Sequence, residues 1–308
     1  MSVLAVDLGG TNIKIGLVES GRILHRAVIS AHSEAGAAQA LDRVAAQLQA
    51  LRRDDCIGVG LAMPTLIDVR TNRVAGQMIG KFEGLGQIDF DRWSGEQFQL
   101  PIRIENDAHA AILGEWKHGA GRGCDDLVMM TIGTGIGTSV IINGKPLRGK
   151  HAQAGNLGSH MILDPDGFPC VCGARGCGEA QQHRNFVSQL AKSDPGFVSS
   201  ELSKIPEIDY AALFKHSPTD ELASRLLKRS LDIWGTMAVS LVHQFDCERI
   251  VIGGGIMKSA AIILPHINQW LETACTPWGR ARAVAAEQGD DAALLGLAVG
   301  FSQTLDYI

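Results

Sequence analysis

Residues 3–11, VLAVDLGGT, decide the fold, because a short apolar run ends abruptly in two glycines. Such a run is typical of a buried strand that feeds a tight turn. The stretch LVMMTIGTGIGT at residues 127–138 repeats this arrangement. Each copy is followed by a second β-rich run and a hairpin signal, Ser20-Gly21 in the first copy and Asn143-Gly144 in the second. We interpret the pattern as an internal duplication of two related α/β halves.

Length and composition favour a two-domain globular protein. The chain has 308 residues, of which 45% are hydrophobic and 20% are charged, and its net charge is -5. It has no Lys/Arg cluster of the kind that binds nucleic acid, no apolar run of membrane-spanning length, and no signal-peptide pattern. We therefore expect a cytoplasmic protein with no nucleic-acid or membrane partner.

Hydrophobic periodicity predicts the other main elements. The expected strands are residues 56–62, 101–104, 139–142 and 249–252, and the expected helices are the segment around residues 41–51 and residues 108–118, 222–245 and 291–305. Residues 65–100 are irregular and contain several glycines, so we expect a long functional loop with weak elements there.

The two glycine turns are candidates for phosphate binding. In Asp7-Leu8-Gly9-Gly10-Thr11, backbone N–H groups and the Thr11 hydroxyl can point at phosphate oxygens, and Asp7 is placed to hold magnesium through water. The alternative is a structural turn closed by an Asx hydrogen bond. The second turn, Gly133-Thr134-Gly135-Ile136-Gly137-Thr138, lies between two strands, which argues against a dinucleotide fold. Gly253-Gly254-Gly255 is a third turn, either a plain strand–helix connection or a place where adenosine approaches.

Glu105-Asn106-Asp107 follows a predicted strand and opens a predicted helix. A hydroxyl that accepts a phosphoryl group needs a nearby base, and Asp107 is our candidate for it. Asn106 is suited to hydrogen-bond a second hydroxyl of a polyol. The alternative is that Asp107 only caps the helix, since Asp is a favoured N-cap residue.

Cys170, Cys172 and Cys177 lie close together, ten residues or more after His160. Three thiolates and one imidazole make a closed tetrahedral set that suits structural zinc. His151 and His183 are rivals for the fourth ligand, and three free thiols are the alternative. The other four cysteines are expected to be ordinary core or surface thiols. Glu179 follows the last of the clustered cysteines and either reaches a sugar hydroxyl or is a solvated surface carboxylate.

Together these motifs resemble the ROK family of sugar kinases and repressors, within the actin-like ATPase group, over essentially the whole chain. The resemblance implies two actin-like, ribonuclease H-like domains with the active site in the cleft between them. The expected boundaries are 1–116 plus 292–308 for the small domain and 117–291 for the larger one. It further implies ATP-dependent phosphorylation of a hexose or hexose derivative, most simply at the 6-hydroxyl, with ATP, Mg²⁺ and structural Zn²⁺ as cofactors and a homodimer as the assembly.

The resemblance also implies roles for individual residues, with Asp107 as the catalytic base. Sugar contacts are implied for Asn106, Asn156, His160, Glu179 and Gly80. Nucleotide and magnesium contacts are implied for Asp7, Gly9, Gly10, Thr11, Lys14, Gly133, Thr134, Gly135, Gly254 and Gly255. Zinc ligation is implied for His160, Cys170, Cys172 and Cys177, in a segment that matches the pattern CxCGxxGCxE.

Three departures from the family pattern fall around the expected sugar site. Asn156 stands where the family has Glu, with one extra residue before His160. Pro64-Thr65 replaces Pro-Gly, and Met78–Phe82 replaces the usual Asn-Leu-x-Gly-Trp loop. An amide can donate as well as accept, so the preferred hydroxyls should differ. The acceptor is expected to be a less common hexose, an amino sugar or a related polyol.

Three other functions are weighed against a kinase. A non-catalytic sugar sensor would not need Asp7, Asp107 and both phosphate turns. A repressor would carry an additional N-terminal helix-turn-helix domain, for which the start at Asp7 leaves no room. A chaperone-like or cytoskeletal ATPase would not need the cysteine loop or the Glu105–Asp107 motif.

Overall fold

The computed structural model describes residues 1–76, 81–133, 135–277 and 279–302, except for the side chains of Arg184 and Ser302. The strands are β1 Ser2–Leu8, β2 Asn12–Glu19, β3 Arg22–Ser30, β4 Cys56–Met63, β5 Ile67–Asp68, β6 Arg73–Val74, β7 Ile102–Asn106, β8 Leu127–Ile132, β9 Ile136–Ile142, β10 Lys145–Pro146, β11 Arg249–Gly253 and β12 Arg282–Ala285. The helices are α1 Ala37–Leu51, α2 Phe90–Phe98, α3 Asp107–His118, α4 Gly178–Gln182, α5 Arg184–Ser193, α6 Tyr210–His216, α7 Glu221–Phe245, α8 Ala260–Cys275 and α9 Ala292–Ser302.

Two five-stranded sheets share one topology. Their strand orders are β3-β2-β1-β4-β7 and β10-β9-β8-β11-β12, so each sheet runs third, second, first, fourth, fifth in its own chain order. In the first sheet β1 is antiparallel to β2 and parallel to β4, and in the second β11 is parallel to both β8 and β12. The matching order confirms the internal duplication that the two glycine turns predicted.

The chain divides into two compact units. The first consists of Met1–Asp125, Ser139–Asn156 and Glu287–Ile308, and the second of Asp126–Thr138 and Leu157–Ala286. The domain boundaries expected from the sequence stay a prediction. None of the described helices is long and apolar enough to cross a membrane.

Each unit has a helix that buries one apolar stripe. In the first unit, α1 buries Leu41, Val44 and Leu48, the face that the sequence predicted. In the second unit, α7 buries Trp234 completely, and its ring lies 5.2 Å from that of Tyr210 on α6. These stripes hold α1 against the first sheet and α6 against α7 by burying apolar surface.

Helices α3 and α9 of the first unit cross at two glycines. A Cβ at Gly114 would lie 2.0 Å from the carbonyl oxygen of Ala292, and one at Gly296 would lie 1.8 Å from that of Ala110. Both distances are far below van der Waals contact, so the two backbones approach as closely as only glycine permits. Because α3 begins at Asp107, this crossing fixes the helix that carries the candidate base.

Several elements differ from the expectations. The region 65–100 contains α2, a nine-residue helix whose N-cap is Asp89, so it is not only a loop. Strand β7 continues to Asn106, and β9 begins at Ile136, inside the predicted glycine turn. Helices α5, α6 and α8 and strand β12 were not predicted. Pro265 lies within α8, and an internal proline normally argues against a helix.

The α3–α9 crossing generates a test on stability. Gly114→Ala should lower the free energy of unfolding by about 1–3 kcal/mol, because the added methyl overlaps a backbone oxygen that has no room to move. The matched control is Gly95→Ala in α2, where a Cβ meets no atom within 4 Å. That variant should be neutral or more stable by up to about 1 kcal/mol. Urea denaturation measures both, and equal stability of the two variants would contradict the tight crossing.

Candidate active site

The first unit gathers acidic residues where three parallel strands end. Asp7 on β1 is in register with Ala62 on β4, and Ala62 is in register with Glu105 on β7. Because the carboxyl ends of parallel strands meet at one edge of a sheet, Asp7 and the start of α3 are brought to the same edge. The topology therefore places Asp7 and Asp107 in one electrostatic environment.

Asp107 is the first residue of α3 but does not cap it. The N-cap is Asn106, whose side-chain oxygen accepts a hydrogen bond from the backbone N–H of His109 at 3.1 Å. The Asp107 carboxylate accepts a hydrogen bond from the N–H of Ala108 at 2.8 Å, and the side chain of Asn106 also donates to it. The alternative that Asp107 serves as the helix cap is therefore wrong, and the half-buried carboxylate keeps acceptor capacity for other groups.

Burial and a neighbouring charge raise the pKa of Asp107 to about 6, with burial the larger cause and the carboxylate of Asp7 the second. Burial also raises the pKa of Asp7, although Lys14 offsets part of the effect. The Lys14 Nζ lies 3.5 Å from the Asp7 Oδ2 and 3.0 Å from the Asp290 Oδ1. Burial opposes the charge of Lys14, but the two carboxylates outweigh it and raise the pKa of Lys14.

A buried carboxylate holds the loop that carries Asp290. Glu115 on α3 is fully buried, and its two oxygens accept backbone N–H bonds from Ala120, Glu287, Gln288 and Gly289 at 2.7–3.2 Å. Four N–H donors satisfy a buried carboxylate that would otherwise be very costly. Glu115 thereby fixes the loop from which Asp290 reaches Lys14.

The first glycine turn is narrow on both sides. A Cβ at Gly9 would lie 2.6 Å from the carbonyl oxygen of Asn12, and one at Gly10 would lie 2.6 Å from the Nζ of Lys81. Lys81 therefore lies over the turn, although no role was predicted for it. Thr11 is exposed at the end of the turn. Gly80 and Met78, predicted near the sugar, lie outside the described residues.

The second glycine turn is held by Glu179 within the second unit. The Glu179 Oε2 accepts a hydrogen bond from the Ile136 N–H at 2.6 Å, and its Oε1 lies 2.3 Å from where a Cβ of Gly135 would be. Glu179 is half-buried, so it is not a solvated surface carboxylate. A Cβ at Gly133 would meet no heavy atom within 4 Å. Thr134 lies outside the described residues.

The third glycine turn also has no room for a side chain at Gly254. Gly254 has a φ of +93°, and a Cβ there would lie 2.2 Å from the carbonyl oxygen of Ile132. A Cβ at Gly255 would meet nothing within 4 Å. The turn after β11 thus presses against the end of β8 at Gly254 and is open at Gly255.

The described part of the chain brings together one group of metal-ligating side chains, His160, Cys170, Cys172 and Cys177, with their ligand atoms within 4.8 Å of one another. The Cys170 Sγ lies 3.4 Å from the His160 Nδ1, and the Cys172 Sγ lies 3.5 Å from the Cys177 Sγ. Ligands about 2.3 Å from a tetrahedral zinc ion lie roughly 3.8 Å apart, so the spacing suits zinc. His151 and His183 do not belong to the group.

The cysteine loop is shaped for this cluster. Gly176 has a φ of +69°, and a Cβ there would lie 1.4 Å from the carbonyl oxygen of Asp164. Burial and the neighbouring thiols raise the pKa of Cys177 to about 12. A bound cation would replace that proton, because metal ligation needs the thiolate form. The other four cysteines are buried, as expected for core thiols.

A buried ion pair behind Asp107 was missed by sequence reasoning. Arg148 donates to both oxygens of Glu105, at 2.7 and 2.5 Å, and both residues are less than 10% exposed. Next to them, Asn106 donates to the carbonyl oxygen of Thr65 at 3.1 Å, and Asn156 donates to the Oδ1 of Asn106 at 2.7 Å. The Glu105–Asp107 motif pointed to this place, but nothing in the sequence indicated Arg148 as the partner.

Comparison with known proteins gives one consistent result. The family model described as ROK family matches residues 3–303. The chain belongs to the ROK family. It is 31% identical to a glucokinase from Thermotoga maritima over 97% of this chain and 96% of that protein. It is 29% identical to an N-acetylmannosamine kinase from Pasteurella multocida over 97% of this chain and 95% of that protein.

Solved ROK structures share the fold. A glucokinase from Streptomyces griseus in complex with glucose and AMPPNP is 27% identical, covers 97% of this chain and 98% of its own, and has a TM-score of 0.79. A ROK hexokinase from Thermus thermophilus is 28% identical, covers 97% of each chain and has a TM-score of 0.78. These relatives confirm the predicted α/β fold with two actin-like domains and the predicted class, an ATP-dependent carbohydrate kinase.

The raised pKa of Asp107 generates a test on stability. A carboxyl whose pKa is higher folded than unfolded destabilises the fold once pH rises above the unfolded value near 4, and the full effect is reached above about 6. Asp107→Asn should therefore raise the free energy of unfolding at pH 7.5 by about 1–3 kcal/mol.

The gain of Asp107→Asn should vanish below about pH 4, where the native carboxyl is protonated in both states. Urea denaturation at pH 4 and 7.5 measures it. The same gain at both pH values would show that packing, and not ionisation, is responsible.

The cysteine cluster generates a test by metal analysis. The purified protein should hold about one zinc per chain, and Cys172→Ser should lose most of it and melt at a lower temperature, because metal binding and folding of the loop are coupled. Cys275→Ser, which changes a buried thiol outside the cluster, should leave the zinc content unchanged. Full zinc content in Cys172→Ser would contradict the ligand assignment.

Proposed function

We propose that this ROK protein transfers the γ-phosphate of ATP to a hydroxyl, most simply the 6-hydroxyl, of a hexose or hexose derivative. The observation that carries the proposal is Asp107, a half-buried carboxyl that does not cap its helix and whose pKa lies near 6. Such a carboxyl is mostly ionised at pH 7.5 yet basic enough to accept a hydroxyl proton. As that oxygen bonds to the γ-phosphorus, the bond from phosphorus to ADP breaks and the proton passes to Asp107.

The nucleotide is proposed to contact all three glycine turns. Gly9, Gly10 and Thr11, with Gly133, Thr134 and Gly135, offer N–H and hydroxyl donors to the phosphates, while Gly254 and Gly255 let adenosine approach the backbone. Asp7 would hold Mg²⁺, which neutralises phosphate charge when bound. Lys14 lies beside Asp7 and offsets part of the rise in its pKa that burial causes. Lys81, over Gly10, adds a positive charge beside the same turn.

The sugar is proposed to contact Asn106, Asn156, His160, Glu179 and Gly80. The contacts seen for these residues narrow their roles. Asn106 already uses its oxygen and one amide hydrogen, and its side chain also hydrogen-bonds the Asp107 carboxylate, so a sugar hydroxyl would share that amide with Asp107. The Nδ1 of His160 lies in the cysteine cluster, so the Nε2 is its sugar-facing nitrogen.

Zinc is proposed as a structural ion on His160, Cys170, Cys172 and Cys177, and the assembly as a homodimer. The curated relatives act on glucose in one case and N-acetylmannosamine in another, so the panel of acceptors has to span both classes.

Sugar-dependent ADP release decides the proposal. Glucose, mannose, fructose, N-acetylmannosamine, N-acetylglucosamine, amino sugars and polyols are tested with Mg²⁺-ATP. One sugar should be turned over, and Asp107→Ala should lower kcat about 10²- to 10⁴-fold while ATP binding persists. Gln87→Ala, a change in a short 3₁₀ turn, is the control for effects of preparing and assaying a variant protein. Near-normal turnover by Asp107→Ala would remove Asp107 as the base.

A protein that binds ATP, zinc and a sugar of the panel but releases no sugar-dependent ADP would be a sugar-binding sensor. In that case the proposed kinase activity on this panel is wrong, even though the protein is folded.

A further inference from the structure

A buried histidine, His109, lies next to Asn156, the residue that departs from the family pattern. The Asn156 Nδ2 is 2.7 Å from the Asn106 Oδ1 and 3.4 Å from the His109 Nδ1. The His109 side chain is almost completely buried, and His109 is the third residue of α3, two positions after Asp107. No role follows for it from the reaction described above.

The ring of His109 is held in one tautomer. Its Nε2 lies 3.2 Å from the carbonyl oxygen of Leu147, and a carbonyl oxygen only accepts, so the Nε2 carries the proton. Burial, and secondly the charge of Arg148, lower the pKa of His109 well below its ordinary value, so the ring is neutral. The Nδ1 therefore holds a lone pair and accepts.

The orientation of Asn106 is fixed in the same way. Its Nδ2 donates to the carbonyl oxygen of Thr65 at 3.1 Å, and its Oδ1 accepts from the His109 N–H at 3.1 Å. A reversed amide would set nitrogen against an N–H and oxygen against a carbonyl, so only this orientation satisfies both contacts. Asn156 thus meets two acceptors, the Asn106 Oδ1 and the His109 Nδ1.

We propose that His109 is a positioning residue that, together with Asn106, turns both amide hydrogens of Asn156 inward and its carbonyl oxygen toward the substrate. Two backbone carbonyls, of Thr65 and Leu147, anchor the arrangement. A sugar hydroxyl that meets Asn156 must donate its hydrogen. This deepens the proposed function and rests on it, and it narrows the expectation that the amide of Asn156 can donate as well as accept.

The charge of the site follows from the same geometry. The Glu105 Oε1 is 3.9 Å from the His109 Nδ1, and that carboxylate is held by Arg148. A carboxylate at position 156 would face two acceptors and lie near a third, which is repulsive unless His109 gains a proton. The neutral amide of Asn156 and the neutral ring of His109 therefore fit each other as a pair.

The tautomer is tested without substrate by nitrogen NMR of ¹⁵N-histidine-labelled protein at pH 6.5–8, with His109 assigned by its loss in His109→Gln. The expected result is a neutral ring with hydrogen on Nε2 and an accepting Nδ1. A charged ring, or hydrogen on Nδ1, would overturn the proposal. This measurement is independent of whether any sugar is phosphorylated.

The action of His109 through Asn156 is tested by a double-mutant cycle with the sugar that the panel identifies. His109→Gln keeps a donor near the position of Nε2 and removes the acceptor at Nδ1. It should raise the KM for the sugar about 5- to 20-fold, with kcat and the KM for ATP changed less than about twofold. In an Asn156→Ala background the same change should have no effect on the sugar KM. An equal effect in both backgrounds would show a merely structural role and overturn the proposal.

The polarity of Asn156 is tested with sugar analogues. Each hydroxyl of the accepted sugar is replaced in turn by hydrogen or by fluorine, which cannot donate. At the position that Asn156→Ala renders insensitive, both replacements should weaken binding alike, by about 5- to 50-fold. Tight binding of the fluorine analogue alone would mean that Asn156 donates, against the proposal. If the NMR result holds but no sugar binds at all, the proposed function has failed, and the sugar contact of Asn156 fails with it.

Discussion

The crowding of two carboxylates at one sheet edge is the constraint on which the active site depends. Parallel pairing of β1, β4 and β7 brings Asp7 and the start of α3 to the same edge, where burial and the charge of Asp7 keep the pKa of Asp107 high. Lys14 relieves part of the repulsion and is itself held by Asp290. Asp290 stays within reach of Lys14 because Glu115 accepts four backbone N–H bonds, one from Ala120 just after α3 and three from residues 287–289. The ionised Asp107 therefore lowers the stability of the fold, and the polar contacts around it offset part of that loss. Ionisable groups with shifted pKa values are common at functional sites.

The buried ion pair Glu105–Arg148 orients the backbone at this sheet edge. Desolvation of both charges costs several kcal/mol, and the bidentate geometry offsets it, so the pair is not a simple source of stability. Its consequence is orientation. Glu105 precedes Asn106 and Asp107 on the same strand end, and its Oε1 also accepts the N–H of Asn106 at 2.7 Å. The backbone of the Glu105–Asp107 motif is thereby fixed from behind, while the α3–α9 crossing fixes the helix that follows it.

The sequence predicted those features that depend on residues close to one another in the chain. The strand–glycine turns, the duplication, the cysteine loop and the placement of Asp7 and Asp107 all follow from apolar periodicity and from residue types within ten positions of one another. Contacts between distant segments were not predictable. Arg148 lies 43 residues from Glu105, and Asp290 lies 276 residues from Lys14. No spacing rule links such pairs. Helix α8 was missed for a local reason, since Pro265 contradicts a helix that tertiary packing nevertheless maintains.

The neighbouring residues Asn106 and Asp107 divide two tasks that one Asp often combines. A carboxylate that caps a helix accepts its N–H bonds and feels the helix dipole most strongly, and both effects lower its pKa. Such a carboxylate would be a weak base. In this chain the neutral amide of Asn106 takes the cap, and Asp107 accepts hydrogen bonds from the N–H of Ala108 and from the side chain of Asn106. Burial and Asp7 then outweigh the remaining helix contribution and leave the pKa near 6. Exchange of the two side chains would preserve composition and charge yet place the carboxylate in the cap, so the order Asn-Asp, and not the mere presence of both residues, is what gives the proposed base a raised pKa.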